Sequence, residues 1–278
     1  MDIGEMKFSV LMAVYYKEIP EYFLEAVESV INQTIKPSEI LIVKDGPLTE
    51  ALEEACNNLL HKYSQYIRFV HLEKNVGLGL ALQKGVLECQ YDLVARMDTD
   101  DISKPDRFEK QLKAFAATPS LVICGGFIEE FSTTPHQIDS IRSVPLDKDS
   151  IYTFAKKRNP FNHMTVMFRK KAVLDAGNYQ PMLLLEDYYL WFRLIMNKCD
   201  MLNISDVLVQ ARTGKDMYMR RGGWNYFIRE KQLYDIFFKR HYINKTEYIG
   251  VVLVRLISRL LPNKIRARIY SNFIRKIT

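Results

Sequence analysis

The chain has 278 residues, of which 48% are hydrophobic and 26% charged, as is typical of a soluble globular protein with a large core. Its net charge of +6 is concentrated at one end: residues 243–278 carry eight lysines and arginines and one acid, a net +7, which leaves −1 for residues 1–242. A nucleic-acid-binding protein would need basic residues over the body of the domain, so no nucleic-acid partner is predicted.

Strands and helices alternate over the first 125 residues. Apolar runs and helical spacing predict strands at 7–14, 39–44, 67–72, 92–97 and 121–124, and helices at 19–31, 48–65, 78–89 and 106–117. Such alternation predicts an α/β fold with a mostly parallel sheet and right-handed crossovers. In these sheets ligands bind at the carboxyl ends of the strands.

The alternation weakens after about residue 125. A strand is predicted at 164–168 and a helix at 188–197. Two basic amphipathic helices, 246–261 and 263–278, are predicted on either side of Pro262. We therefore expect one domain over 1–242, with halves of about 1–125 and 126–242, followed by a helical tail over 243–278.

Cysteine usage and the N-terminus both favour a cytoplasmic location. The four cysteines lie far apart and show no C-x-x-C spacing, so buried thiols are expected and a disulfide framework or zinc site is not. The first residues lack a basic segment followed by an apolar one, so no secretion signal is expected.

Four acidic residues follow the fourth predicted strand: Asp98, Asp100, Asp101 and Asp106. Carboxylates this close repel one another, and a shared cation relieves the repulsion. Oxygen ligands favour Mg²⁺ or Mn²⁺, which commonly bridge diphosphate oxygens. The alternative is a solvated turn before the next helix, with Asp106 as its N-cap. We favour ligation for Asp98 and Asp100 and a structural role for Asp106.

Asp45 directly follows the second predicted strand, as Asp98 follows the fourth. In isolation, Asp45-Gly46 reads as an ordinary turn. The agreement of the two strand ends favours a shared ligand crevice instead.

Five motifs in this order are characteristic of one family. They are Ser9 to Tyr15, Asp45-Gly46, Asn75 to Ala81, Asp98 to Asp101 and Glu186-Asp187. With these motifs the chain resembles family 2 glycosyltransferases of the GT-A fold, over roughly residues 7–225. Its register, including the segment 162–165, resembles that of bacterial capsule and exopolysaccharide transferases.

The resemblance implies inverting transfer of a sugar from a nucleotide sugar, usually UDP-linked, to an acceptor hydroxyl. It implies that Asp98 and Asp100 bind Mn²⁺ or Mg²⁺. It also implies a general base at Asp187, with Glu186 beside it as the alternative. The nucleotide-sugar-binding positions would be Ala13, Val14, Tyr15, Asp45, Asn75, Gly77, Asp98, His163 and Arg212.

His163 and Arg212 carry simpler alternatives. A lone histidine is more often structural than a ligand, and Asn75 to Gly77 also reads as a plain turn into a helix. Arg212 opens a basic segment with Lys215, Arg220 and Arg221. That segment either closes over the diphosphate or forms a surface patch.

The basic tail suggests a membrane surface. The apolar stretch 249–261 is interrupted by Arg255 and Arg259 and is too short to span a bilayer. Its leucines alternate with arginines, which suits a helix lying in an anionic interface. The alternative is packing on the domain. We expect a peripheral enzyme at the inner face of the cytoplasmic membrane, acting on a polyprenyl-diphosphate-linked glycan.

Two other functions remain possible from the sequence. A sugar nucleotidyltransferase would carry a Gly-rich basic loop after the first strand, where this chain has Tyr15 to Glu18. A non-catalytic scaffold binding lipid or a partner would have lost the acidic site. The Q-x-x-R-W signature of processive relatives is absent, which favours single additions.

Overall fold

Nine strands form one sheet in the part of the chain that the computed structural model describes, residues 2–213 and 222–261. The strands are β1 (Phe8–Val14), β2 (Glu39–Lys44), β3 (Ile67–His71), β4 (Leu93–Arg96), β5 (Ile102–Ser103), β6 (Leu121–Phe131), β7 (Ser140–Arg142), β8 (Met167–Arg169) and β9 (Asp200–Arg212). The α-helices are α1 (Pro20–Ile31), α2 (Glu50–Tyr63), α3 (Leu78–Glu88), α4 (Arg107–Ala117), α5 (Lys148–Ala155), α6 (Lys170–Asp175), α7 (Glu186–Met196), α8 (Trp224–Lys239) and α9 (Lys245–Leu260).

The strand order is β3-β2-β1-β4-β8-β6-β9-β5, with β7 paired to β6. Strands β1 to β4 are parallel, as predicted, and β1 lies between β2 and β4. The residues that follow β2 and β4 therefore meet at one edge. The fifth predicted strand, β6, does not pair with β4, because β8 enters antiparallel between them.

Several predicted boundaries were wrong, among them the end of the fifth predicted strand, which continues from 124 to Phe131. The strand predicted at 164–168 starts only at Met167, because His163–Thr165 forms a 3₁₀ turn. The helix predicted from Tyr188 starts two residues earlier, at Glu186. The predicted catalytic pair, Glu186 and Asp187, thus belongs to the first turn of α7.

Helices cover both faces of the sheet, which explains the continuous apolar strands. In β1, Val10 and Met12 belong to one buried cluster, with residues of α1, α2 and α4. Leu11 belongs to the other cluster, with residues of α3 and α7 that include Trp191. Strands buried on both faces lose the alternation of a half-exposed sheet.

The first helix of the tail packs on the domain. Helix α9 joins α8 through Arg259 and Glu230, whose side chains form two hydrogen bonds of 2.7 and 2.8 Å. Lys156 pairs with Glu247 at 2.9 Å, and Val251 is buried. The predicted helix 263–278 lies outside the described residues, and the division into domain and tail remains a prediction.

The opposite face of α9 is exposed and apolar. Its exposed side chains, which we call the α9 apolar stripe, are Ile249, Leu253, Val254, Ile257 and Leu260. Within residues 2–213 and 222–261, none of the helices is both long enough and apolar enough to cross a bilayer.

Candidate active site

Asp45, directly after β2, connects the end of β1 to the loop before α3. Its carboxylate accepts hydrogen bonds from the Val76 N–H at 2.7 Å, the Gly77 N–H at 3.0 Å and the Asn75 Nδ2 at 3.0 Å. Its own N–H donates to the Val14 carbonyl at 2.8 Å. The structure thus brings the predicted residues Val14, Asp45, Asn75 and Gly77 together, with Asp45 holding the loop before α3.

The remaining residues of the first predicted motif lie beside this junction. The Ala13 carbonyl accepts a hydrogen bond from the Thr99 hydroxyl at 3.3 Å, which links the end of β1 to the acidic segment. Tyr15 is exposed and packs edge-on against Tyr16, with ring centroids 5.7 Å apart. Because the Tyr15 ring is exposed at the end of β1, a planar ligand can stack on it.

Asp98, Asp100 and Asp101 converge after β4. Each has a carboxylate oxygen within 4.8 Å of those of the other two. Burial, together with the charges of Asp98 and Glu18, raises the pKa of Asp100 to about 7. Burial and the neighbouring carboxylates likewise raise the pKa of Asp101 well above its usual value. Three carboxylate oxygens this close together fit a divalent cation. Asp101 is therefore a candidate ligand in addition to the two predicted ones, Asp98 and Asp100.

Asp106 belongs to α4, as expected. It occupies the N-cap position, although its side chain makes no capping hydrogen bond. Its carboxylate pairs with Lys110, one turn along, at 2.8 Å. This residue is structural.

Arg212 supports the acidic cluster from β9. Its backbone N–H donates to Asp101 Oδ1 at 2.8 Å, and its Nε donates to the Asp100 carbonyl at 3.1 Å. The guanidinium carbon lies 3.7 Å from the centre of the Tyr22 ring, and Nη2 bonds Glu25 at 2.7 Å. These contacts give Arg212 a positioning role in this structure. Lys215, Arg220 and Arg221 of the same predicted basic segment lie outside the described residues.

Arg96, the last residue of β4, was not identified from the sequence. It is 1% exposed, and its Nη2 lies 2.5 Å from Asp98 Oδ1. Its Nε and Nη1 have no hydrogen-bond partner among the described residues. A buried guanidinium with unused donors costs free energy unless something binds it. The signal in the sequence was an arginine inside the apolar run 93–97.

Glu186 and Asp187 are the first two residues of α7, and neither is its N-cap, a position held by Leu185. Asp187 Oδ2 accepts a hydrogen bond from Asn159 Nδ2 at 2.6 Å. Burial raises the pKa of Asp187, and the Asn159 contact opposes that shift. Burial and the Asp187 charge raise the pKa of Glu186 to about 7. Both carboxyls are therefore stronger bases than usual.

His163 is held by its neighbours. Its Nε2 lies 2.9 Å from the Tyr179 hydroxyl, and its ring packs edge-on to Trp191. Burial and the positive charge of Arg96 lower the pKa of His163 well below its usual value. The imidazole is neutral, and it lies in the wall of the cavity.

A cavity of about 450 Å³ is lined by some of these groups. Of the predicted site residues, its lining contains Asp98, His163, Glu186 and Asp187. Residues 13–15, Asp45, Asn75, Gly77, Asp100 and Arg212 lie outside the lining. Its charged and amide residues also include eight that the sequence analysis did not identify as site residues: Arg96, Glu130, Arg142, Arg158, Asn159, Glu230, Arg255 and Arg259. The lining therefore combines one residue of the acidic cluster, the carboxyl pair and five arginines.

This arrangement defines a nucleotide-sugar transferase of the GT-A type, and the comparisons agree. Residues 9–177 match the model of Glycosyl transferase family 2. The chain belongs to that family, and the protein is a glycosyltransferase.

Relatives that match nearly the whole chain include the following two. It is 41% identical over 267 residues to the amylovoran biosynthesis glycosyltransferase AmsE of Erwinia amylovora, covering 95% of this chain and 98% of that protein. It is 38% identical over 272 residues to the UDP-Gal:alpha-D-GlcNAc-diphosphoundecaprenol beta-1,3-galactosyltransferase of Escherichia coli, covering 97% of each.

The fold is shared with a more distant solved structure. The mannosyltransferase PcManGT from Pyrobaculum calidifontis, solved with GDP-Man and Mn²⁺, superposes with a TM-score of 0.62 at 15% identity. The match covers 95% of this chain and 73% of that one. The predicted GT-A fold is confirmed.

Proposed function

We propose that this protein transfers one sugar, with inversion, from a UDP-sugar to a hydroxyl of a polyprenyl-diphosphate-linked glycan during surface polysaccharide assembly. The observation that carries the proposal is one cavity whose lining includes both Asp98, of the acidic cluster, and the carboxyl pair Glu186 and Asp187. The Escherichia coli relative, whose name specifies UDP-Gal and a diphosphoundecaprenol-linked acceptor, supports both substrate classes.

The donor occupies the crevice at the ends of β1, β2 and β4. Tyr15 and the loop held by Asp45 contact the nucleoside. Asp98, Asp100 and Asp101 hold Mn²⁺ or Mg²⁺, which when bound neutralises charge on the departing diphosphate. Arg212 keeps Asp100 and Asp101 in place from behind.

Asp187 accepts the proton of the attacking hydroxyl. Asn159 donates a hydrogen bond to its Oδ2 and so helps to orient the carboxylate. A base must be ionised and within hydrogen-bond reach of the proton it removes. Attack from the Asp187 side, opposite the departing diphosphate, inverts the anomeric centre.

Asp187→Asn tests the assignment of the base. We expect transfer to fall by roughly 10²- to 10⁴-fold, because a general base contributes about that factor. Calorimetry should show unchanged UDP affinity with Mn²⁺. Asp175→Asn, an exposed aspartate at the end of α6, is the matched control. Near-normal transfer by Asp187→Asn, with loss in Glu186→Gln, would move the role to Glu186.

Metal-dependent UDP binding separates an enzyme from a scaffold. Wild-type protein should bind UDP with Mn²⁺ and bind it much more weakly in EDTA. Asp100→Asn should weaken the metal-dependent part, because it removes an oxygen ligand. Absence of UDP binding by the wild type would favour the non-catalytic scaffold.

The α9 apolar stripe binds the anionic inner face of the cytoplasmic membrane in this proposal. Its support is the exposed apolar surface together with the net charge of +7 on residues 243–278. A lipid-linked acceptor would then reach the cavity in the plane of the bilayer.

Flotation with liposomes tests membrane binding. The double variant Leu253→Glu/Ile257→Glu should reduce binding to phosphatidylglycerol vesicles about tenfold or more, because two apolar side chains no longer bury. Leu60→Glu, a 40% exposed leucine on α2, is the matched control. Equal flotation of the double variant and the wild type would show that the stripe is not the contact.

A further inference from the structure

Trp224, the first residue of α8, is largely exposed to solvent. Its relative exposure is 57%, whereas Trp191, the other tryptophan of the chain, is fully buried. The Trp224 ring packs against Phe227, with ring centroids 5.3 Å apart and ring planes tilted by 41°. Most of a large apolar ring therefore remains in contact with water, which is unfavourable unless a partner covers it.

Trp224 lies beside the end of α9. The Gly223 N–H donates to the Arg259 carbonyl at 3.0 Å, which holds the start of α8 against the last turn of α9. Leu260, the next residue of α9, is 52% exposed, and Ile257, one turn earlier, is 61% exposed. Trp224 thus extends the α9 apolar stripe onto a second helix. An exposed apolar patch shared by two helices indicates a contact surface.

The charge of the neighbouring sequence favours an anionic membrane as the partner. Residues 262–278, which directly follow Leu261, contain five lysines and arginines and no acid, and Arg220 and Arg221 come just before Gly222. Negatively charged lipid headgroups attract cations that lie next to an apolar surface. A tryptophan ring has an apolar body and one N–H donor, so it is favoured where acyl chains meet headgroups. Both properties fit a bilayer surface.

We propose that Trp224, Ile257 and Leu260 insert together into the interface of an anionic membrane, an inference that rests on the proposed function. The proposed function uses only α9 for this contact. A protein held by one helix can still roll about the axis of that helix. A second anchor on α8 removes this freedom, so the enzyme has one orientation on the membrane.

This orientation brings one wall of the cavity to the membrane surface. Tyr226, two residues after Trp224, and Glu230 line the cavity from α8, and Arg259 lines it from α9. The guanidinium carbon of Arg259 lies 4.8 Å from the centre of the Tyr226 ring, and its Nε donates to Glu230 at 2.7 Å. A lipid-linked acceptor then enters the cavity along this wall while its chain stays in the bilayer.

Tryptophan fluorescence with lipid vesicles tests this arrangement, because the chain has only two tryptophans. Phosphatidylglycerol vesicles with brominated acyl chains should quench about half of the wild-type emission, because an indole at the interface lies within reach of the bromines. Trp224→Phe should bind the same vesicles without quenching, since Trp191 is buried. Trp224→Ala should weaken vesicle binding in flotation about tenfold, because it removes the apolar ring.

Leu60 provides a matched control on the opposite face of the sheet. It is 40% exposed on α2, whose buried residues belong to one core cluster, whereas those of α8 belong to the other. Leu60→Trp in the Trp224→Phe background again gives one exposed and one buried tryptophan. This protein should bind the vesicles with its emission unquenched.

Flotation of the wild type without quenching of Trp224 would overturn the inference and leave the membrane contact of the proposed function in place. Equal quenching of Leu60→Trp and the wild type would also overturn it, because the enzyme would then have no fixed orientation. A shift of Trp224 emission that depends on protein concentration without vesicles would assign the patch to a second copy of the chain. No flotation of the wild type would instead refute the membrane contact of the proposed function itself.

Discussion

At the scale of single residues, Arg96 interacts both with Asp98 and with the carboxyl pair Glu186 and Asp187. It pairs with Asp98 on the donor side, and its charge lowers the pKa of both Glu186 and Asp187. A buried cation among several acids allows more than one of them to stay ionised. Arg96 lines the cavity, and its Nε and Nη1 have no hydrogen-bond partner among the described residues.

Arg96→Gln should therefore impair catalysis and shift its pH dependence. Without the cation the pKa of Asp187 rises, so the acid limb of the kcat/KM profile should move up by about one pH unit. At neutral pH, kcat/KM should fall about 100-fold, and Arg96→Lys should recover part of it. Arg169→Gln, at the end of β8, is the control. An unshifted acid limb in Arg96→Gln would contradict this role.

Glu186 should make stability depend on pH in an unusual direction. Its pKa rises from 4.5 to about 7 on folding, so between these values the folded state binds more protons and stability falls as pH rises. Glu186→Gln should raise the free energy of unfolding by up to about 3 kcal/mol at pH 8 and little at pH 5. Urea unfolding at both pH values measures this. Glu54→Gln, exposed on α2, should show no such difference.

Individual site residues differed in how far the sequence revealed them. Asp45 and Asp98 were predictable because each follows a buried strand, and parallel strands present their carboxyl ends at one edge. Arg142, Arg158 and Arg255 belong to segments far apart in the chain, and no local pattern signals that they line one cavity.

At the scale of elements, the turn after β2 positions the loop before α3. Gly46 has a φ of +86°, and a Cβ there would lie 2.5 Å from the Asn75 backbone nitrogen. The close approach lets Asp45 bond the backbone of residues 76 and 77. This turn thus fixes the position of the loop at residues 75–77 against the end of β2.

Gly46→Ala should unfold the protein more easily and weaken UDP binding. The left-handed backbone costs about 1–2 kcal/mol for alanine, and the displaced Asn75 adds to it. Gly250→Ala on α9 is the opposite control, because nothing lies within 4 Å of its added Cβ and alanine favours a helix by about 1 kcal/mol. Chemical denaturation should show the two changes with opposite signs. Equal stability of Gly46→Ala and wild type would contradict the close packing.

Three of the strands that the sequence predicted share one property. Strands β1, β2 and β4 are parallel and buried on both faces, so each appears as a nearly continuous apolar run, whereas the edge strand β3 is mostly half-buried. Strand β5 has two residues and β7 three, too few for any periodicity. The insertion of β8 between β4 and β6 depends on a pairing between distant segments, which local sequence does not record.

At the scale of the whole molecule, part of the cavity wall comes from α9, the last described helix. The acidic cluster comes from residues 98–101 and is supported by Arg212, whereas the cavity residues Arg255 and Arg259 come from α9. The sequence predicted an amphipathic helix here but did not determine whether it packs on the domain or binds a membrane. In the structure one face packs on α8 while the other remains exposed.

Deleting residues 245–278 should separate donor binding from acceptor use. UDP affinity with Mn²⁺ should stay within about twofold, because no donor-side contact involves α9 in the described structure. Transfer to a lipid-diphosphate acceptor should fall at least about 100-fold, because the deletion removes Arg255 and the stripe together. Thermal unfolding controls for the lost packing of Val251. Full transfer by the shortened chain would show that α9 takes no part in acceptor binding, and lost UDP affinity would show that it supports the donor half instead.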